Sequence, residues 1–253
     1  MRPRSRHGGR HELGQNFLIH TPTIERMVRL VDAADGPVLE IGAGDGALTR
    51  RLARLGRPVT ALEIDETRLP GLARIGDVRV VHGDVLRHPL DVPVVVGNVP
   101  FHLTTPILRR LLGRPGWRDA ILLTQWEVAR KRAGVGGATL MTAQAAPWFR
   151  FALHGRVPAA GFVPRPAVDG GLLSISRRPR PLVATAHRRA YERFAGLVFA
   201  GRGQGVADIA HRATGARRAD LARALRGAGV DPRALPRDLG PEAWAALWEA
   251  ARR

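Results

Sequence analysis

The stretch PVLEIGAGDGA, residues 37–47, decides the fold of this chain. Its first half is an apolar run interrupted by a single glutamate, which is typical of a buried strand. Glycines then follow at alternate positions, beginning with Gly42 and Gly44. A glycine turn between a strand and a helix lets the backbone come close to a ligand at the end of the strand. The stretch therefore predicts a strand–turn–helix unit with a ligand site at its turn.

Further apolar runs follow, and helical patterns separate most of them. They are PVTALEID (58–65), VRVVHGDVL (78–86), VPVVVGNVPF (92–101) and DAILLTQ (119–125). Strands that alternate with helices predict a parallel, doubly wound sheet. Beyond Pro179 strand patterns vanish and short helices remain. Trp244 and Trp248 fall at helical spacing in the last one, and we expect them to be core residues.

These patterns divide the chain into three parts. Residues 1–12 are basic and contain little to bury, so we expect a disordered arm there. Residues 13–178 are predicted to form a Rossmann-like α/β domain. Residues 179–253 are predicted to form a small, all-helical C-terminal domain.

The charge of the chain indicates its partner class. Its 253 residues include 40 Lys and Arg against 22 Asp and Glu, a net charge of +18. Lys131 is the only lysine, so codon bias explains the choice of arginine but not the excess of basic residues. Residues 178–253 hold 15 Arg and 7 acidic residues. Positive proteins are drawn to polyanions, so we predict nucleic acid as the partner and a separate basic module at the end of the chain.

Composition also indicates the cellular compartment. The chain has no cysteine, which fits a reducing compartment and removes the usual structural zinc sites. No secretory signal is visible, and no apolar run approaches the roughly 18 residues that a membrane helix needs. We therefore expect a cytoplasmic protein with no membrane partner.

The glycine turn fits two classes of cofactor. The spacing Gly42-x-Gly44-x-x-Ala47 satisfies the dinucleotide fingerprint, and Glu63, 21 residues after Gly42, ends the second strand. An acid there would hold ribose hydroxyls of NAD or of another adenosine-containing ligand. A tight turn without a ligand is the plainer alternative, but turn, helix and acid occur together here. Asp84, at the end of the third strand, could accept a hydrogen bond from an adenine amino group or merely cap a helical turn.

The segment GNVPF, residues 97–101, favours a methyl-transfer site over a dehydrogenase. The amino nitrogen of adenine is a poor nucleophile because its lone pair is delocalised into the ring. The Asn98 side-chain oxygen and the Val99 carbonyl can accept its two N–H bonds and stabilise the developing positive charge. Pro100 would fix the backbone so that the acceptors converge, and Phe101 would give the base a face on which to stack.

Six motifs together resemble those of the rRNA adenine N6-dimethyltransferases. They are LGQNFL (13–18), LEIGAGDG (39–46), LEID (62–65), HGDVL (82–86), GNVPF (97–101) and FVPRPAVDGGLL (162–173). The resemblance implies S-adenosylmethionine as the methyl donor, an RNA-binding helical tail and no metal. It places the following residues around the donor, beside Gly44 of the turn: Asn16, Leu18, Gly42, Glu63, Asp84 and Asn98.

The family has two main branches. One methylates adjacent adenines of small-subunit rRNA during ribosome maturation. The other, the Erm enzymes, methylates one adenine of 23S rRNA and so blocks macrolides, lincosamides and streptogramin B. The segments NVPFHLTTPILRRLL and TQWEVARKRAG, like the arginine-rich composition, resemble Erm enzymes of antibiotic-producing actinobacteria. We therefore expect a monomeric 23S rRNA methyltransferase. The alternatives are a 16S enzyme, an NAD-dependent oxidoreductase and a non-catalytic nucleic-acid-binding protein.

Overall fold

The structure, a computed structural model, describes residues 16–252. The predicted basic arm, residues 1–12, lies outside them. The strands are β1 (Phe17–Leu18), β2 (Val38–Ile41), β3 (Val59–Glu63), β4 (Val78–His82), β5 (Val94–Asn98), β6 (Asp119–Gln125), β7 (Phe149–Val157), β8 (Phe162–Val163) and β9 (Gly170–Arg177).

Helices follow most of the strands in the first half of the chain and dominate its end. They are α1 (Thr21–Asp32), α2 (Thr49–Leu52), α3 (Leu69–Leu72), α4 (Thr104–Gly113), α5 (Trp126–Arg132), α6 (Leu140–Ala145), α7 (Arg188–Ala200), α8 (Val206–Thr214), α9 (Arg218–Gly227) and α10 (Pro241–Ala251).

The main sheet has seven strands in the order β4-β3-β2-β5-β6-β9-β7. Strands β4, β3, β2, β5 and β6 are parallel, as predicted, so their carboxyl ends lie along one edge. The chain order reverses between β2 and β5, and ligands of open α/β sheets bind at such a switch point. The fold thus brings the ends of four predicted strands to one place.

The sheet also contains an antiparallel pair that the sequence patterns did not predict. Strand β9 inserts beside β6 and runs antiparallel to it, from Asp119↔Ser176 to Gln125↔Gly170. The connection from β7 to β9 contains no α-helix. It therefore lacks the helical crossover that usually joins parallel neighbours.

The core of the sheet is built from its Val- and Leu-rich strands. All four residues of β2 are buried, and so are the three valines of β5. Parallel strands with both faces covered bury nearly every side chain, which is why their apolar runs are continuous. Met27 and Val31 of α1 are fully buried in the same apolar cluster.

The chain divides into two compact units. The first comprises the described residues up to Ala129 together with Ala152–Ser176. The second comprises Arg130–Phe151 and the residues after Ser176. Its core is aromatic: the Tyr191 ring packs 5.3 Å from Trp148 and 5.9 Å from Trp248, centroid to centroid. Trp244 and Trp248 are core residues, as predicted.

Within the described part of the chain, no helix has the length and apolar character needed to cross a membrane.

Candidate functional site

A cavity opens at the carboxyl ends of β2, β3, β4 and β5, within the first unit. Most of the sequence-predicted site residues line it: Asn16, Gly42, Gly44, Glu63, Asp84, Asn98, Val99, Pro100 and Phe101. Leu18 is the exception: it is buried in β1, where it pairs with Phe162. The structure therefore gathers residues up to 85 positions apart in the sequence around one space.

The glycine turn after β2 is held by the acid that ends β3. The Gly44 N–H donates to Glu63 Oε2 at 2.7 Å. The N–H groups of Ile64 and Asp65 donate to Glu63 Oε1, each at 2.9 Å. Gly42 and Gly44 adopt left-handed conformations, with φ of 71° and 55°, that favour glycine. Glu63 thus fixes the turn from within the cavity wall and is only 2 % exposed.

Asp65 lies two residues after Glu63, so the sequence pattern puts both side chains on the same face, but the two form different contacts. Its Oδ1 accepts hydrogen bonds from the Thr67 N–H at 3.0 Å and the Thr67 hydroxyl at 2.7 Å. It caps the short 3₁₀ turn Glu66–Arg68 and is not among the residues lining the cavity. Of the two acids after β3, Glu63 is therefore the one placed to meet a ligand.

Asp84 caps the turn after β4 and also lines the cavity. Its Oδ1 accepts the Leu86 N–H at 2.8 Å, which is the capping interaction. The residue also lines the cavity, and Oδ2 lies 3.9 Å from Arg87 Nε. A carboxylate offers about four acceptor positions, so the cap leaves capacity for an amino group of a ligand.

The amide of Asn98 is oriented by the N-terminal segment. Its Nδ2 donates to the carbonyl oxygen of Asn16 at 2.7 Å. Because a carbonyl can only accept, this partner assigns the nitrogen to that side of the amide, and Oδ1 has no hydrogen bond to any residue among 16–252. The neighbouring Val99 N–H donates to the Leu123 carbonyl of β6 at 3.0 Å, which anchors the turn after β5.

Position 97, directly before Asn98, has room only for a glycine. A Cβ at Gly97 would lie 2.3 Å from the carbonyl oxygen of Ile41. Strands β5 and β2 therefore approach more closely here than any other residue would allow. The close approach places the Asn98 turn directly beside the glycine turn, since a Cβ on Gly42 would lie 3.8 Å from the Asn98 carbonyl.

The aromatic ring after Pro100 is supported from one side. Phe101 meets Phe162 edge to face, with ring centroids 6.0 Å apart. Phe101 is half-buried and lines the cavity, so the packing fixes the ring without removing it from the site. An aromatic ring placed in this way can stack on a planar base.

Sequence reasoning missed several lining residues. Phe17, Ile64, Val85 and His102 all line the cavity. Ile64 and Val85 directly follow the predicted acids Glu63 and Asp84, so strand-end position was the available signal. Phe17 lay in a recognised motif, but nothing in its sequence context showed where its ring would point.

A second glutamate is buried beside the site and does not line it. Glu40 of β2 is 2 % exposed. Burial, with the nearby charge of Glu63, raises the pKa of Glu40 to about 8. The carboxyl group is therefore protonated at neutral pH, and one of its oxygens, Oε2, has no hydrogen-bond partner.

Among residues 16–252, no group of three or more His, Asp or Glu side chains is arranged to hold a metal ion.

The family assignment rests on sequence and on structure. The family described as ribosomal RNA adenine dimethylase matches residues 6–233. The chain belongs to this family. The family resemblance predicted from the motifs, the α/β Rossmann-like fold and the methyltransferase class are thereby confirmed, and the dehydrogenase alternative is set aside.

The similar proteins include one named for antibiotic resistance and one named for methylation of 23S rRNA. The mycinamicin-resistance protein MyrB of Micromonospora griseorubida is 49 % identical over 251 residues, covering 97 % of this chain and 80 % of that protein. An rRNA adenine N-6-methyltransferase of Corynebacterium diphtheriae is 49 % identical over 209 residues, covering 81 % and 83 %. The crystal structure of the 23S rRNA methyltransferase ErmE superposes with a TM-score of 0.84 at 33 % identity, covering 94 % of this chain and 100 % of that one.

Proposed function

We propose that this chain transfers methyl groups from S-adenosylmethionine to the N6 amino group of a specific adenine in 23S rRNA. The product would confer resistance to macrolide, lincosamide and streptogramin B antibiotics. One observation carries the chemistry: Asn98 lines the cavity with its amide nitrogen held by the Asn16 carbonyl, so its oxygen is available as an acceptor. The likeness to the 23S rRNA methyltransferase ErmE supports the 23S target, and the likeness to the mycinamicin-resistance protein MyrB supports the resistance.

The donor would lie across the glycine turn. Glu63 Oε2 has two lone pairs, and the Gly44 N–H uses one, so the other is available to a ribose hydroxyl. Asp84 and the apolar Ile64 and Val85 would surround the adenine of the donor. These residues suit an adenosine with a methyl-bearing sulfonium, and the reaction needs no metal among them.

The target adenine would enter beside Phe101. Its amino N–H groups would donate to Asn98 Oδ1 and to the Val99 carbonyl, which stabilises positive charge as it develops on N6. The N6 lone pair forms the bond to the methyl carbon while the carbon–sulfur bond breaks, giving S-adenosylhomocysteine. The proton then leaves to water. Because a stacked base hides its amino group, the adenine must be unpaired or flipped out.

RNA binding is proposed for the basic helical region, residues 179–253, acting in a cytoplasmic monomer. Residues 178–253 carry 15 Arg against 7 acidic residues. Exposed Arg217, Arg223 and Arg226 lie along or just before α9. If these charges meet phosphates, RNA affinity falls steeply with added salt, because each neutralised phosphate releases counterions. A salt-insensitive dissociation constant would mean that these arginines do not contact RNA phosphates.

Mass mapping of rRNA tests the target. The 23S and 16S rRNA of a susceptible host would be mapped for methylated adenines with and without this chain, alongside an Asn98→Ala control. We expect one new methylated adenine in 23S rRNA, absent from the control, and a raised inhibitory concentration of macrolide. New methylation of 16S rRNA alone would assign the chain to the ribosome-maturation branch.

A further inference from the structure

Arg68 connects three segments that border the cavity. It ends the 3₁₀ turn after β3, and its side chain is 13 % exposed. Its guanidinium lies 4.5 Å from the centroid of the Phe17 ring. It forms an ion pair with Asp45 of the glycine turn, and its Nε lies 3.5 Å from Asp65 Oδ2.

Phe17 is the ring that these contacts hold in place. It lines the cavity, and its ring atoms lie 3.0 and 3.1 Å from the position of a Cβ on Gly44. The ring therefore lies against the glycine turn on one side and under the guanidinium of Arg68. A larger residue at position 44 would displace it.

The N-terminal segment that carries Phe17 is also attached at Leu18, which is buried in the apolar core, and at Ile19, whose N–H donates to the Gly161 carbonyl at 2.8 Å. Strand β1 is two residues long and pairs only through Phe17↔Val163 and Leu18↔Phe162. The preceding residue, Asn16, supplies the carbonyl that orients the Asn98 amide. Phe17 thus directly follows the residue whose carbonyl orients the proposed acceptor group.

The contacts of Arg68 with Asp45 and Phe17 are of kinds that can break and re-form readily. The Asp45 side chain is 55 % exposed, so solvent screens that ion pair. A cation over an aromatic face adds a modest attraction that grows as water is excluded. Arginine suits this task better than lysine, because its planar group stacks on a ring and pairs with carboxylates at the same time.

We propose that Arg68 is a positioning residue that latches Phe17 over the donor pocket and thereby sets how long the donor stays bound. The proposal rests on the proposed function, because it takes the occupant of the cavity to be S-adenosylmethionine. Arg68 acts through Phe17 and, through Asn16, on the Asn98 amide. It does not line the cavity itself.

The test measures binding and release of S-adenosylhomocysteine by the full chain with stopped-flow fluorescence and calorimetry. The variants are Arg68→Met, Arg68→Lys, Phe17→Leu and the double variant Arg68→Met/Phe17→Leu. Arg118→Met is the matched control, since it removes one exposed arginine that bonds the Asp35 carbonyl before β2. Melting temperatures establish that each variant is folded.

We expect Arg68→Met to raise the dissociation rate about tenfold, with a melting temperature within about 3 °C of the wild type. Arg68→Lys retains the charge, so its dissociation rate should lie between those of the wild type and Arg68→Met. In the Phe17→Leu background, Arg68→Met should add less than about a further twofold, because two residues of one latch are not additive. Arg118→Met should release the ligand at the wild-type rate.

Two results would overturn the latch: a wild-type dissociation rate in both Arg68 variants, or full additivity with Phe17→Leu. If Arg68→Met does not fold, Arg68→Lys alone decides, and a wild-type release rate in it rejects the proposal. Failure of the wild-type chain to bind S-adenosylhomocysteine is a different outcome. It would reject the proposed function itself.

Discussion

Two glycine-rich loops of this chain have similar composition and different surroundings. The turn after β2 has left-handed glycines at 42, 44 and 46, and the loop between α5 and α6 has them at 134, 136 and 137. In the first, Glu63 binds a turn N–H and Phe17 covers the backbone. In the second, Val135 is 47 % exposed and a Cβ on Gly134 would meet nothing within 4 Å. Both loops are rich in glycine, but of the two only the turn after β2 is enclosed by an acid and an aromatic ring and lines the cavity.

The largest effect is expected at the residue facing the first loop. Asn98→Ala removes a prepositioned acceptor, which typically costs about 2.7–4 kcal/mol, or roughly 10² to 10³ in turnover. Donor and RNA affinities should change little. Single-turnover methylation of an rRNA fragment measures the loss, and wild-type turnover would remove the amide from the mechanism. Phe101→Tyr, which keeps the ring face, serves as the tolerated control.

A stability measurement probes the acid buried beneath the first loop. Burial raises the pKa of Glu40 from 4.5 in a free side chain to about 8. Its contribution to the free energy of unfolding is therefore complete below pH 4.5 and is lost as the pH rises through about 8. Glutamine cannot lose a proton, so Glu40→Gln should become more stable relative to the wild type by about 2 kcal/mol between pH 5.5 and pH 7.5.

Urea unfolding at the two pH values checks this expectation. Asp32→Asn, at the exposed end of α1, is the control for replacing an acidic side chain by its amide. A difference between wild type and Glu40→Gln that does not vary with pH would mean that Glu40 is ionised in the folded chain.

The acid that holds the first loop should matter more to the donor than its neighbour. Glu63→Gln replaces the carboxylate that accepts three backbone N–H groups, and charged hydrogen bonds contribute about 1.5–3 kcal/mol each. We expect at least about a tenfold loss of donor affinity by calorimetry. Asp65→Asn should cost much less, because Asp65 caps a turn outside the cavity. The reverse order would reassign the ribose contact to Asp65.

The smallest effect compares the loops directly. Gly44→Ala and Gly134→Ala both force alanine into a left-handed conformation, at a cost of about 1–2 kcal/mol of stability each. Only Gly44→Ala also pushes against the Phe17 ring, so only it should weaken donor binding. Equal donor affinities in the two variants would show that the Phe17 ring, which packs on the first loop, does not contribute to donor binding.

Local sequence patterns were enough to place three polar residues at the cavity. Glu63, Asp84 and Asn98 each end or follow an apolar run, and parallel strands bring such ends to one edge. The strand order beyond β6 could not be predicted from local patterns, because the position of β9 between β6 and β7 depends on tertiary contacts. The Asn16–Asn98 hydrogen bond and the Phe17–Arg68 contact join segments 82 and 51 residues apart. Neither has a periodic signature, so only the folded chain shows them.

The pairing of β1 with β8 sets an order of events during synthesis. Phe17 leaves the ribosome early, but its partner Val163 is made 146 residues later. Domains form as the chain emerges, and contacts of such long range come late. The β1–β8 pair, directly after Asn16 in the chain, therefore cannot form until about two-thirds of the protein has been made. A nascent chain that ends before β8 lacks this contact of the N-terminal segment, although its glycine turn and Asn98 turn have already been synthesised.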